Sequence, residues 1–166
     1  LGIPEPDINL NVGSGTQAEQ TSGIMMGYER LLMQEKPDLC IVVGDVTSTM
    51  ACAITAKKMF VKVAHIEGGI RSGDMAMPEE INRIVTDSIT DYFFTTSRTA
   101  NENLRKSGVT DDRIFFVGNT MIDTLLKHLP GDDILSPHRT EQIIQPFIYA
   151  LNFLLPLSNG RCIDPA

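Results

Sequence analysis

The chain has 166 residues, 42% hydrophobic and 21% charged, with a formal net charge of −7 at pH 7. That length and composition suit one ordinary globular domain with a sizeable core. The acidic balance argues against a general binder of nucleic acid or anionic membranes, which needs a basic face, but leaves room for an anionic small ligand held by a local cluster of donors.

The cysteines, Cys40, Cys52 and Cys162, are odd in number, and the first two lie in apolar runs. This predicts buried thiols in a reducing, cytoplasmic setting, and the spacing matches no zinc pattern. The opening LGIPEPD has no initiator methionine and no basic lead, which predicts a piece of a longer protein. The apolar stretch 143–157 is interrupted by Gln145, Pro146, Asn152 and Pro156, too short and too broken to insert in a bilayer.

In chain order, residues 8–12 alternate apolar and polar and predict a half-exposed strand. Gly13 and Gly15 break it. Thr16 with Glu19 three positions on is a capping box, and apolar residues from Ile24 to Leu32 fall at helical spacing as far as about Gln34. Residues 39–43 form a continuous apolar run between Pro37-Asp38 and Gly44-Asp45, which predicts a buried central strand. A helix over 47–59 carries the small residues Ala51, Ala53 and Ala56. A strand over 60–66 follows, then a helix from Pro78 to about Thr90, with Glu79 and Glu80 near the positive end of its dipole. Strands over 92–95 and 113–117, a helix capped by Ser97 and another over 120–129 complete the pattern. Alternating strands and helices with short connections predict an α/β fold: a Rossmann-like parallel sheet with helices on both faces. In such sheets ligands bind outside the carboxyl ends of the strands, where Asp45, His65, Glu67 and Asn119 all fall.

Several of these residues have two readings. Gly13 to Ala18 fits a glycine-rich dinucleotide fingerprint in an NAD-binding domain, or is a plain strand-to-helix turn. Asp45 is a helix cap or a rim carboxylate. His65 and Glu67 lie two apart at a strand end and so share a face; the histidine either satisfies a neighbouring backbone group or serves a site. Gly68-Gly69 after them favours a close approach to a ligand or a positive-φ turn. Glu79 and Arg83 are i and i+4, an exposed helix pair taken alone. Beside Glu67 and Arg71 they become a cluster of acids and guanidiniums suited to proton transfer at a sugar carbon next to a bound phosphate.

The chain resembles the non-hydrolysing UDP-N-acetylglucosamine 2-epimerases. The matching text is A-E-Q-T at 18–21, K-P-D then V-V-G-D-V-T-S-T at 36–49, H-I-E-G-G-I-R-S-G-D at 65–74, M-P-E-E-I-N-R with T-D at 77–87, and I-F-F-V-G-N-T-M-I-D at 114–123. The resemblance covers about residues 1–129, with 130–166 a poorly matched tail. It implies the N-terminal half of a GT-B-type two-domain fold, and an isomerase of cell-surface polysaccharide biosynthesis that interconverts UDP-N-acetylglucosamine and UDP-N-acetylmannosamine without cofactor or metal. It implies that a base removes the C2 proton, UDP leaves, and UDP adds back with a proton delivered to the other face. By position, Asp45, Glu67 and Glu79 match acid/base carboxylates and Arg83 a supporting arginine, with His65, Arg71 and Asn119 as candidate substrate contacts. Gln20 matches a position that binds an activating UDP-sugar in some bacterial members. His138, in H-R-T-E, resembles the family's catalytic histidine motif, at a shorter spacing from G-N-T-M-I-D than in the family. The resemblance also implies a homodimer when full length.

Departures from the family are also visible. The resemblance implies that its first strand and phosphate-contacting loop would precede Leu1 and that most of the uridine-binding domain would lie outside these 166 residues, and Gly68 stands where alanine is usual. The expectation is a polypeptide weakly active or inactive by itself; the alternative is a non-catalytic remnant or interaction module of the same fold.

Overall fold

The structure is a computed structural model that describes residues 6–119, 121–124 and 163–164. In chain order its elements are β1 (Ile8–Asn9), α1 (Gln17–Glu35), β2 (Leu39–Val43), α2 (Thr47–Lys58), β3 (Lys62–Ile66), α3 (Pro78–Ile89), β4 (Tyr92–Thr95), α4 (Arg98–Lys106), a 3-10 turn (Asp111–Arg113), β5 (Ile114–Phe116) and β6 (Ile163–Asp164). The helix expected over 120–129 is described only at 121–124; His128, His138 and the tail segment 130–162 lie outside the described residues.

Local chemistry sets the element ends. Thr16 accepts the Glu19 N–H at 3.2 Å while the Glu19 carboxylate accepts the Thr16 N–H at 2.8 Å, so the capping box forms as expected. Helix α1 stops at Lys36, left-handed at φ 48°, just before Pro37. Asp38 then leads directly into β2. Pro78 opens α3 at a position where its missing N–H has no helical partner to lose.

Strands β2, β3, β4 and β5 lie in that order, all parallel, with Val42 opposite His65 and His65 opposite Phe93. Each crossover helix therefore steps one strand in the same direction. Right-handed crossovers that never reverse direction place their helices on one face of the sheet, so among the described residues the helices cover one face where the sequence predicts both. That is the face of Cys40, Val42 and Val63, where the alanines of α2 and the apolar stripe of α1 (Ile24, Tyr28, Leu31, Leu32) form the main core. Ala51, Ala53 and Ala56 are wholly buried, so α2 lies close on the strands. The opposite face carries a smaller cluster around Ala64, Phe94 and Val117, and its edge residues Ile41 and Val43 are exposed.

The strand expected over 8–12 is largely absent. Only Ile8 and Asn9 are in strand form, paired with Ile163 and Asp164 in a separate two-stranded sheet. Asn11 turns left-handed at φ 55°. Leu10 and Val12 instead pack on α1, which offers Gly27 and Gly23, four residues apart, as a groove; Leu10 lies 3.5 Å from where a Gly27 Cβ would be. The alternation thus reports one face laid on a helix. This also overturns the dinucleotide reading of Gly13 to Ala18. That turn follows no strand of the four-stranded sheet, whereas a dinucleotide-binding turn sits at the carboxyl end of a central strand.

Gly27→Ala is expected to raise stability by about 0.5–1 kcal/mol, because helix propensity improves and the new methyl meets Leu10 at ordinary contact distance. Gly27→Leu is expected to lower it by more than about 1 kcal/mol, since Leu10 must move. Urea midpoints of the two variants against the wild type check both signs.

Candidate functional site at the carboxyl rim of the sheet

The ladder of β2, β3 and β4 continues one residue past the strands. The Gly44 N–H donates to Ile66 O at 3.1 Å and the Glu67 N–H to Phe94 O at 2.9 Å. Gly44 and Glu67 are therefore neighbours at the rim, and both are left-handed, at φ 67° and φ 70°. Glycine adopts that conformation freely; a glutamate held there costs about 1 kcal/mol or more and persists only where its surroundings enforce it. The Glu67 carboxylate folds over Gly44, with Oε2 3.7 Å from the position of a Cβ on residue 44.

Asp45 follows directly. It does not cap α2, whose N-cap is Val46 without a side-chain bond. Its carboxylate accepts from Arg83 Nη2 at 2.5 Å, and its backbone carbonyl accepts from Asn82 Nδ2 at 2.8 Å. Of its two sequence readings, the rim carboxylate is the one the structure adopts. The Arg83 guanidinium also donates to Glu80 Oε2 at 2.9 Å. Arg83 pairs with Glu80 and Asp45, so the exposed Glu79–Arg83 pair expected from the i, i+4 spacing does not form. Glu79 is half-buried at the start of α3 and, among the described residues, its carboxylate has no hydrogen bond or ion pair.

Glu80 is the structural acid of this helix. It is 2% exposed and accepts from the N–H groups of Ser72 and Gly73 at 2.9 and 3.1 Å and from the Ser72 hydroxyl at 3.1 Å. It thereby pins the loop between β3 and α3. Burial pushes its carboxyl upward, but these donors and Arg83 outweigh burial and hold it at about 2, well below the ordinary 4.5. For Arg83, burial opposes the charged form, and the bonds to Glu80 and Asp45 overcome it and raise the guanidinium further.

His65 and Glu67 do not share a face. The left-handed turn at Glu67 breaks the strand alternation, and His65 is buried beneath the rim, 1% exposed. Its Nδ1 lies 2.7 Å from Asp87 Oδ1 and its Nε2 2.8 Å from Gly44 O, so both ring nitrogens are engaged by the protein. Asp87 Oδ2 accepts from the Gly69 N–H at 3.0 Å and from Arg71 Nη1 at 2.6 Å. Arg71 therefore pairs with Asp87 and lines a groove of about 500 Å³ between α3 and α4 with Ile84, Leu104 and Arg113. The single cluster expected from sequence is two networks, Asp45–Arg83–Glu80 and His65–Asp87–Arg71, joined through Gly44 and α3.

Asn119 caps the turn that starts at Met121, accepting its N–H at 3.0 Å. Gln20 is half-buried in the first turns of α1, near the rim, since Gln17 of the same helix accepts from the Thr47 hydroxyl at 3.4 Å. Sequence reasoning missed Glu80, Asn82 and Asp87 as site-builders. The signal for Glu80 and Asp87 was that, with Arg83, they form an i, i+3, i+7 polar stripe that an amphipathic helix would normally fill with apolar residues; Asn82 had no such signal.

A model of the family described as UDP-N-acetylglucosamine 2-epimerase matches residues 1–154. The chain belongs to this family. The match runs beyond the last of the sequence motifs. The UDP-N-acetylglucosamine 2-epimerase of Methanocaldococcus jannaschii is 46% identical over 129 residues, covering 78% of this chain and 35% of the relative. The Salmonella typhimurium enzyme of the same name is 36% identical over 164 residues, 96% of this chain and 43% of the relative. A crystal structure of the M. jannaschii UDP-GlcNAc 2-epimerase in complex with UDP-GlcNAc and UDP has a TM-score of 0.74 and 40% identity, over 90% of this chain and 40% of that one. The chain thus spans about a third to two fifths of the length of these relatives. With the parallel sheet, they show the Rossmann-like half of a GT-B-type epimerase fold.

Two outcomes test the site's construction. Because the folded Glu80 carboxyl is depressed from 4.5 to about 2, its stabilisation is complete above 4.5 and is lost as pH falls toward 2. Glu80→Gln is expected to cost about 3 kcal/mol at neutral pH and to flatten stability across that acid window, read by denaturant titration at several pH values. Gly69→Ala would place a Cβ 2.5 Å from Ala100 O at φ 84°. It is expected to cost more than about 2 kcal/mol by the same measurement.

Proposed function

We propose that this chain supplies the N-terminal-domain part of the active site of a UDP-N-acetylglucosamine 2-epimerase, with Asp45, Glu67 and Glu79 as the acid/base carboxylates and Arg83 as the residue that orients Asp45. The observation that supports the reading is the meeting of Asp45, Glu67 and Arg83, from the ends of β2 and β3 and from α3, at one rim of a parallel sheet. The C2 proton of the sugar is a weak acid, so its removal needs a placed base and a stabilised leaving group. A carboxylate takes that proton as the C1–O bond to UDP breaks, leaving an unsaturated sugar. UDP then re-forms the C1–O bond while a protonated carboxyl delivers a proton to the opposite face of C2. Proton traffic on two faces needs more than one acid, and Glu79, half-buried in the first turn of α3 with an uncommitted carboxylate, is the candidate for the second.

His65 supports the site from beneath, since both its ring nitrogens are taken by protein groups. Arg71 acts through Asp87 in the same way. Asn119 and Gln20 remain candidate contacts to substrate and to an activating UDP-sugar. His138 is the candidate histidine from the tail. The full-length enzyme works as a cytoplasmic homodimer in polysaccharide precursor synthesis.

The sugar carries the open choice. A Pseudomonas aeruginosa relative, 44% identical over 128 residues, is named UDP-2,3-diacetamido-2,3-dideoxy-D-glucuronate 2-epimerase. Both names describe epimerisation at C2 of a UDP-sugar, and the rim residues above act at C2 in either case.

Proton NMR in D2O with each of the two UDP-sugars tests the reading. The chain alone is expected to bind UDP-N-acetylglucosamine at about millimolar Kd, on the scale of −4 kcal/mol, with little turnover. Loss of the C2 proton signal to solvent deuterium marks the chemistry, and Glu67→Gln is expected to suppress it at least tenfold. A chain that shows no binding of either sugar nucleotide or of UDP is a remnant, and the proposal falls.

A further inference from the structure

We propose that Asp87 holds His65 doubly protonated, and that this buried imidazolium is a positioning residue that fixes the Gly44–Asp45 turn of the candidate site. The inference rests on the site reading above for its functional meaning, but its geometry stands independently. Gly44 O is a carbonyl and can only accept, so His65 Nε2, 2.8 Å away, carries a proton. Asp87 Oδ2 accepts from a guanidinium at 2.6 Å and from the Gly69 N–H at 3.0 Å, the environment of an ionised carboxylate. An ionised Asp87 can only accept through Oδ1 as well, so His65 Nδ1, 2.7 Å away, also carries a proton. A neutral imidazole has one N–H and satisfies only one of these two contacts.

The charges facing the ring balance this state. Asp87 on α3 carries the negative charge, with Arg71 from the β3–α3 loop against its other oxygen. Glu67 is the ionisable group on the rim above, folded over Gly44. Buried charge is tolerated where it is paired and hydrogen-bonded, and both conditions hold.

The consequence falls on Gly44. With no side chain and a left-handed backbone, it is the most pliant residue next to Asp45. Its N–H is tied to Ile66 O and its carbonyl to the imidazolium; the next carbonyl is tied to Asn82. A charged donor gives a stronger bond to that carbonyl than a neutral one. Asp87, on α3, therefore sets where Asp45 and Glu67 stand without touching substrate.

Nitrogen-15 NMR of the chain labelled at histidine tests this, with the His65 signals assigned by their loss in His65→Gln. At neutral pH both ring nitrogens of His65 are expected in the protonated range, each with a slowly exchanging N–H proton. In Asp87→Asn one ring nitrogen is expected to move to the unprotonated range, with the backbone amides of Gly44, Asp45 and Glu67 shifting while those of α1 stay. One unprotonated ring nitrogen in the wild type overturns the proposal, and so do unmoved Gly44 and Asp45 amides in a folded Asp87→Asn. If Asp87→Asn does not fold, the wild-type spectrum decides. A UDP titration of the same sample reports separately, so a chain that binds no nucleotide but carries the imidazolium sinks the function and leaves this inference standing.

Discussion

The structure depends on the inward face of α3 being polar. A helix against a sheet normally buries an apolar stripe. Here Glu80, Asn82, Thr86 and Asp87 are the buried residues of α3, with Arg83 close behind. Such a face is stable only if its donors and acceptors are matched, since an unpaired buried polar group costs about 1–3 kcal/mol and a charge more. For every one of these side chains except Thr86, whose buried hydroxyl has no hydrogen-bond partner, the matches come from backbone and side chains brought in by other elements: Asp45 and its carbonyl after β2, His65 on β3, and Ser72, Gly73, Gly69 and Arg71 in the connecting loop. Helix, strand ends and loop therefore specify one another. The apolar core under α1 and α2 holds the fold together, while α3 sets the shape of the rim.

That arrangement sorts the carboxylates by task. Glu80 and Asp87 are deeply buried and each accepts several bonds, which suits them to hold backbone in place. Asp45, Glu67 and Glu79 are only half-buried. Asp45 is intermediate in kind, bonded to Arg83 yet part-exposed. Adjacent acids in the sequence, Glu79 and Glu80, differ in burial and bonding because successive helical residues point about 100° apart.

The two glycine-rich stretches divide in the same way. Gly68 and Gly69 are crowded: a Cβ on Gly68 would sit 2.9 Å from the Phe93 ring, and one on Gly69 closer still to the Ala100 carbonyl. Their lack of side chains lets the β3–α3 loop pass under α4 and reach Asp87. Gly13 is in open space and does no comparable work. The dinucleotide reading failed because its turn follows no strand of the four-stranded sheet, whereas Gly68-Gly69 lies just past the carboxyl end of β3.

Much was legible from residues alone. The order of strands and helices, the Thr16–Glu19 box, the Ser97 cap and the gathering of Asp45 and Glu67 at strand ends all follow from local periodicity, capping chemistry and the direction of parallel strands. These are short-range effects, carried by residues within a turn or two of each other. The tertiary structure decided what depends on distant partners. It placed Leu10 and Val12 on α1, buried His65, gave Arg83 to Asp45 and Glu80, and turned Arg71 toward Asp87. An arginine or histidine in the sequence has several possible carboxylate partners. Which one it takes is settled by the packing of α3 across the sheet, because a buried charge accepts only the partner that the fold brings within about 3 Å.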